Sequence, residues 1–131
     1  MITSTFVTME RGRALFGIHA QIVQAVVADR EWSGADPFEM SQALGITGPA
    51  ADSPHPILLV GIKEKPTPIR ALGAVVMRQL DVSSVWPVPH LARNPTQRQP
   101  VSGVAFVEGT LPLVILDPIV LLALAAEHTQ P

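Results

Sequence analysis

A mostly β fold, built as two small barrels, is predicted by three observations. Thirteen Pro and nine Gly are spread along the whole 131-residue chain. Short Val-rich runs recur between them while aromatics make up only 5% of the residues, a pattern of short strands and turns more than of a helical bundle. A hairpin followed by an Asp-Pro pair occurs in each half, which points to two related units.

Thr3–Met9 and Arg13–Ile18 are short and β-prone, and Glu10-Arg11-Gly12 between them predicts a hairpin turn. His19–Val23 suits a helical turn, and Gln24–Ala28 has strand composition with little alternation. Ser33-Gly34-Ala35 breaks the pattern. Asp36-Pro37 then gives a helix-start signal, with Asp as cap and Pro at the first helical position. Phe38, Met40, Ala43 and Leu44 share one helical face and Gly45 ends it, so a short helix is predicted near residues 36–44. Residues 46–55, rich in Pro, Gly and small side chains, read as a linker.

The second unit spans residues 56–126. Ile57–Ile62 is a continuous apolar run suited to a strand buried on both faces. Lys63–Pro68 reads as a charged turn, and Ile69–Leu80 as a strand because of its β-branched centre. Val82–Trp86 follows, and Trp86-Pro87-Val88-Pro89 ends it in stiff, extended backbone. Ala92–Pro100 is a polar loop. Residues 101–107 and 110–116 then predict a hairpin around Glu108-Gly109, where Gly109 supplies a positive φ. Asp117-Pro118 repeats the helix-start signal and predicts a helix over 117–126.

Composition excludes several function classes. Net charge is −2 and the nine basic residues are scattered, so nucleic acid is not an expected partner. With no cysteine there is no disulfide, thiolate metal site or cysteine nucleophile. The N-terminus lacks a basic region followed by an apolar core, and a cytoplasmic location is expected. Leu111–Ala126 is apolar apart from Asp117-Pro118, but a spanning helix needs about 20 apolar residues. A core strand followed by a core helix is the expectation, with no direct membrane insertion.

Catalytic chemistry has no visible centre. His19, His55, His90 and His128 form no spaced ligand pair. Asp29, Glu31 and Asp36 are explained by turn solvation and capping, and Ser83-Ser84 has no neighbouring base. Gly45, Gly48 and Gly61 lack the spacing of a phosphate loop and a following Lys-Thr/Ser. No enzyme, cofactor or metal site is expected.

Five pieces in order carry a family resemblance: Ile57–Ile62, Gly73-Ala74-Val75-Val76, Pro87-Val88-Pro89, Gly103-Val104-Ala105 and Asp117–Leu122. Leu15-Phe16-Gly17-Ile18 and Val23-Gln24-Ala25-Val26-Val27 add to them in the first half. The chain resembles the CheW-like adaptors of bacterial chemosensory arrays, which have two five-stranded SH3-like barrels. Ala25 stands where that family usually carries Glu. Between Val27 and Asp36 the chain is too short for the two further strands of the family pattern. The Asn-Leu-Arg-Gly turn is also missing, since the only asparagine is Asn94. One CheW-like domain is therefore expected over residues 1–131, with a truncated first subdomain (1–45), the linker (46–55) and a complete second subdomain (56–126).

The resemblance implies a non-enzymatic adaptor that docks to the cytoplasmic tip of a methyl-accepting chemoreceptor. In the family such an adaptor couples receptor tips to a CheA-type kinase, and contacts with other CheW-like adaptors are expected; the missing block implies weak or lost kinase binding and, through unpaired strand edges, self-association. Shortened family members occur in gliding-motility systems of the frizzy type, and the likeness extends to these. Ile18, Val23, Val26, Val76 and Leu80 are the expected lining of a receptor groove, with Arg70 or Arg78 on its rim. The alternative function is a small SH3-like interaction module with an unrelated partner.

Overall fold

The computed structural model describes residues 2–46, 55–61, 65–87, 100–106, 109 and 111–129. Most of the expected linker, the turn at 62–64, the Pro-rich end at 88–89, the loop at 92–99, His90 and Glu108 lie outside the described residues.

The first hairpin forms as expected. β1 (Thr3–Arg11) and β2 (Ala14–His19) pair antiparallel with Arg11 opposite Ala14, so the turn is Gly12-Arg13, slightly later than the sequence predicts. Gly12 takes φ +63° at the first turn position, which matches the twist of the two strands. A single 3₁₀ turn at Ala20–Ile22 then leads into β3 (Val23–Val27).

Asp36-Pro37 does not start a helix. Instead Phe38–Glu39 forms the two-residue strand β4, and α1 (Met40–Leu44) begins after it with Glu39 in the cap position and no side-chain cap bond. The reason is tertiary: Phe38 and Glu39 lie opposite Ile69 and Arg70 in a parallel bridge, which holds the backbone extended. Gly45 ends α1 as predicted, with φ +67° and the Ile46 N–H donating to Ser41 O at 2.9 Å.

β5 (Ile57–Val60) has Ile57, Leu58 and Val60 fully buried. The expected strand over 69–80 is in fact two. β6 (Thr67–Arg70) belongs to one sheet and β7 (Val75–Asp81) to the other, and the chain crosses between them at Ala71–Ala74. At the crossing a Cβ on Gly73 would meet the Glu10 carbonyl oxygen at 2.6 Å, so only glycine lets the backbones approach this closely. Val82–Ser84 is a 3₁₀ turn, not strand, and leads into β8 (Val85–Pro87). β9 (Val101–Ala105) and β10 (Leu113–Leu116) form the second hairpin. Its register sets Ala105 opposite Leu113, so the connection is wider than Glu108-Gly109 alone, though Gly109 has the expected positive φ of 79°.

The second helix start holds. α2 (Pro118–Thr129) is capped by the Asp117 carboxylate, which accepts from the N–H of Ile119 at 3.0 Å and of Val120 at 3.3 Å. Among the described residues no helix is long and apolar enough to cross a membrane.

The sheets do not divide at the linker. One has the order β7-β1-β2-β10-β9-β8 and the other β3-β5-β6-β4. The N-terminal hairpin therefore sits in the middle of a sheet completed by C-terminal strands, and β3 and β4 are completed by β5 and β6. This corrects the expected split into 1–45 and 56–126. Alternation along β1 explains the arrangement: Phe6 packs with Leu15, Leu80, Ala105, Leu113 and Ile115 inside the six-stranded sheet, whereas Val7 and Met9 face the other way. On that side Val7, Met9 and Ile18 meet Leu58, Val60, Ile69, Phe38 and Leu121, forming one core between the two sheets and both helices.

Candidate interaction surface

The five expected groove residues are not brought to one face. Ile18 is fully buried in the inter-sheet core and Leu80 is 8% exposed inside the six-stranded sheet, so both are core and neither offers a docking surface. Val23 is partly buried against the inter-sheet core. Val26 and Val76 are exposed, but on different sheets. Val76 lines a cavity of about 220 Å³ together with Thr8, Glu10, Leu15, Ala74 and Arg78.

Alternation along β7 accounts for this. Val76, Arg78 and Leu80 share the face of Thr8 and Phe6, while Val75 and Met77 share the face of Met9 and Val7. Met77 is 57% exposed and lies opposite Val7, which lies opposite Ile18, so it is the exposed apolar side chain at the edge of the inter-sheet core. Sequence reasoning missed it because adjacent Val75-Val76 conceal which face is which. The clue available was the register against β1, where Thr8 interrupts the apolar run.

Arg70, expected on a rim, is instead a clasp. Its Nη1 donates to Asp29 Oδ1 at 2.7 Å and to the His55 carbonyl oxygen at 3.0 Å, and its Nε donates to Glu39 Oε1 at 3.0 Å. Burial works against its charge, but the hydrogen bond to Asp29 and the charge of Glu39 outweigh it and raise its pKa. One side chain on β6 thus ties together the turn after β3, the strand β4 and the segment just ahead of β5. Arg78 differs: its Nε is buried with no hydrogen-bond partner among the described residues.

The clasp spans a short connection. Between β3 and β4 the chain has only a 3₁₀ turn at Asp29–Glu31 and a loop in which the Trp32 Nε1–H donates to Ala35 O at 2.8 Å. Because the sheet order is β3-β5-β6-β4, the outer edges of β3 and β4 pair with no strand among the described residues. The four-stranded sheet thus has both of its edges unpaired among the described residues. Its β3 edge is partly blunted by a register shift between Val23 and Ala25 and by Asp29, Arg30 and Glu31 just beyond.

The chain superposes on the crystal structure of the scaffolding protein TtCheW from Thermoanaerobacter tengcongensis with a TM-score of 0.68, covering 88% of this chain and 89% of that one. The fold is that of CheW. Sequence identity between the two is 16%. No family model matches the chain, and no curated protein matches it. The CheW fold agrees with the expected class: mostly β, with curled sheets like SH3-like barrel halves and two short helices.

Proposed function

We propose that this chain is a non-enzymatic adaptor of a bacterial chemosensory array, docking to the cytoplasmic tip of a methyl-accepting chemoreceptor. The observation that carries the reading is the CheW fold over most of both chains, shared with a protein described as a scaffold. Mutual docking of preformed surfaces needs no catalytic chemistry. Such an adaptor works in the cytoplasm.

Reduced or lost binding of a CheA-type kinase is the second part of the proposal. Its support is the short link between β3 and β4, which leaves an open sheet where the family resemblance implies two more strands. The same shortening is the reason to place the protein in a gliding-motility system of the frizzy type, working beside a full-length adaptor. The receptor surface is proposed at the seam of the two sheets, with Met77 and Val23 touching the receptor and Ile18 supporting them from the core.

A binding comparison tests both parts. Purified protein should capture the receptor tip and leave the kinase regulatory domain unbound. Met77→Asp and Val23→Asp should each weaken capture about tenfold while the fold persists. Tight kinase binding would overturn the second part, and undiminished capture by both variants would discard the seam. If the receptor tip does not bind at all, the protein is a small SH3-like interaction module with an unrelated partner.

A further inference from the structure

Two opposite charges without partners face one cavity. It has a volume of about 220 Å³, lies on the face of the six-stranded sheet that carries Phe6 and Leu80, and is lined by Thr8, Glu10, Leu15, Ala74, Val76 and Arg78. Thr8 and Leu15 are buried, while Glu10, Ala74 and Val76 are exposed. Register sets the span. Arg78 lies opposite Phe6 on β1, and Glu10 is four residues further along that strand on the same face, so roughly 13 Å of backbone separates them. The two side chains form no ion pair with each other. Among the described residues neither of them makes a hydrogen bond or ion pair with any other group.

We propose that this cavity binds a small zwitterion of the free amino acid class, its carboxylate received by the Arg78 guanidinium and its ammonium by the Glu10 carboxylate. Arg78 Nε is buried with no acceptor, and a carboxylate supplies the acceptors that the planar fork lacks. Charge decides between ligand classes. A simple anion pairs with Arg78 but leaves Glu10 as a repelling neighbour, and a simple cation meets the converse, whereas a molecule carrying both charges suits both walls. Size points the same way. Sites for drug-sized ligands run from about 300 Å³ upward, so a cavity of about 220 Å³ suits a molecule of amino-acid size. Leu15 and Val76 offer apolar contact to a short aliphatic side chain, and the Thr8 hydroxyl, which donates to the Val76 carbonyl oxygen at 2.7 Å, ties the two strands together beneath it. Because the mouth is open to screening solvent, the expected Kd is of about millimolar order. Met77, proposed to touch the receptor, is on the other face of β7, so the site does not depend on that reading.

Titration of the isotope-labelled full chain with leucine, β-alanine and γ-aminobutyrate, followed by amide NMR shifts, tests the proposal. The three probes set the two charges progressively farther apart. At least one of them should shift the Thr8 and Val76 amide signals saturably below about 10 mM, while propionate and propylamine, with one charge each, bind at least about tenfold more weakly. Arg78→Met and Glu10→Gln should each raise the Kd of that zwitterion about tenfold or more with an unchanged circular dichroism spectrum. Glu10 is exposed, so Glu10→Gln decides the matter if Arg78→Met does not fold. No saturable shift with any of the three zwitterions at about 10 mM overturns the proposal. So does binding that survives Glu10→Gln, or propionate binding as tightly as the best zwitterion.

Discussion

Replacing Arg70 by Met removes the clasp while keeping most of the aliphatic stem, and it isolates what holds the short β3–β4 connection in place. The three acceptors can be weighed separately. Asp29 is the stronger ionic partner, at 2.7 Å with side chains 21% and 35% exposed, while Glu39 is 47% exposed and closer to a surface pair. Partly exposed pairs of this kind contribute about 0.2–1 kcal/mol each, with the first near the upper end. The bond to the His55 carbonyl adds about 0.5–1 kcal/mol. Together these place the cost of Arg70→Met at about 2 kcal/mol, or a fall in Tm of about 6–8 °C for a chain of this size. Urea denaturation followed by circular dichroism measures it. A double-mutant cycle with Asp29→Asn should return a coupling of about 1 kcal/mol that shrinks in molar salt, because screening reaches groups this exposed. An Arg70→Met protein within about 0.5 kcal/mol of wild type would refute the clasp and leave the connection held by packing alone.

Gly73→Ala should destabilise by about 1–3 kcal/mol, read as a lower urea midpoint, because its Cβ would press on the Glu10 carbonyl and the β6–β7 crossing has to shift. An unchanged midpoint would mean that the crossing is slack. Asp117→Ala should cost about 1 kcal/mol through loss of the α2 cap, whereas Asp117→Asn should keep most of it; equal losses in thermal melts would show that the capping geometry is not what matters there.

What was legible in the sequence is what local chemistry controls. Gly12 and Gly45 supply left-handed backbone that other residues resist, and Asp117-Pro118 starts a helix whose cap bonds are wholly local. The same Asp-Pro signal failed at Asp36-Pro37 because a distant strand, β6, claimed Phe38 and Glu39. The join between β6 and β7 was illegible for a related reason. Ala71 and Leu72 are as apolar as a strand interior, and only the approach of Glu10 to Gly73 reveals a crossing there. The candidate site was read one residue out of phase along β7: Val76 and Leu80 share the face of Phe6 and Thr8 and Met77 the face of Val7, and the consecutive apolar residues Val75-Val76-Met77 give no alternation to tell the faces apart.

The place of the N-terminal hairpin has a consequence for how the protein is made. β2 finds its parallel neighbour β10 almost at the far end of the chain, with Leu15 beside Leu113, and β1 waits for β7. On the ribosome the first hairpin emerges with neither outer edge covered, and an isolated two-stranded hairpin is marginal in water. Closing so long a loop carries its entropic cost before any of the reward arrives, so folding is slow and commits only when the last strand is released. Trimming the C-terminal hairpin would therefore remove more than a terminal ornament: it would strip β2 of its outer neighbour and leave the first hairpin held by β7 and the inter-sheet core alone.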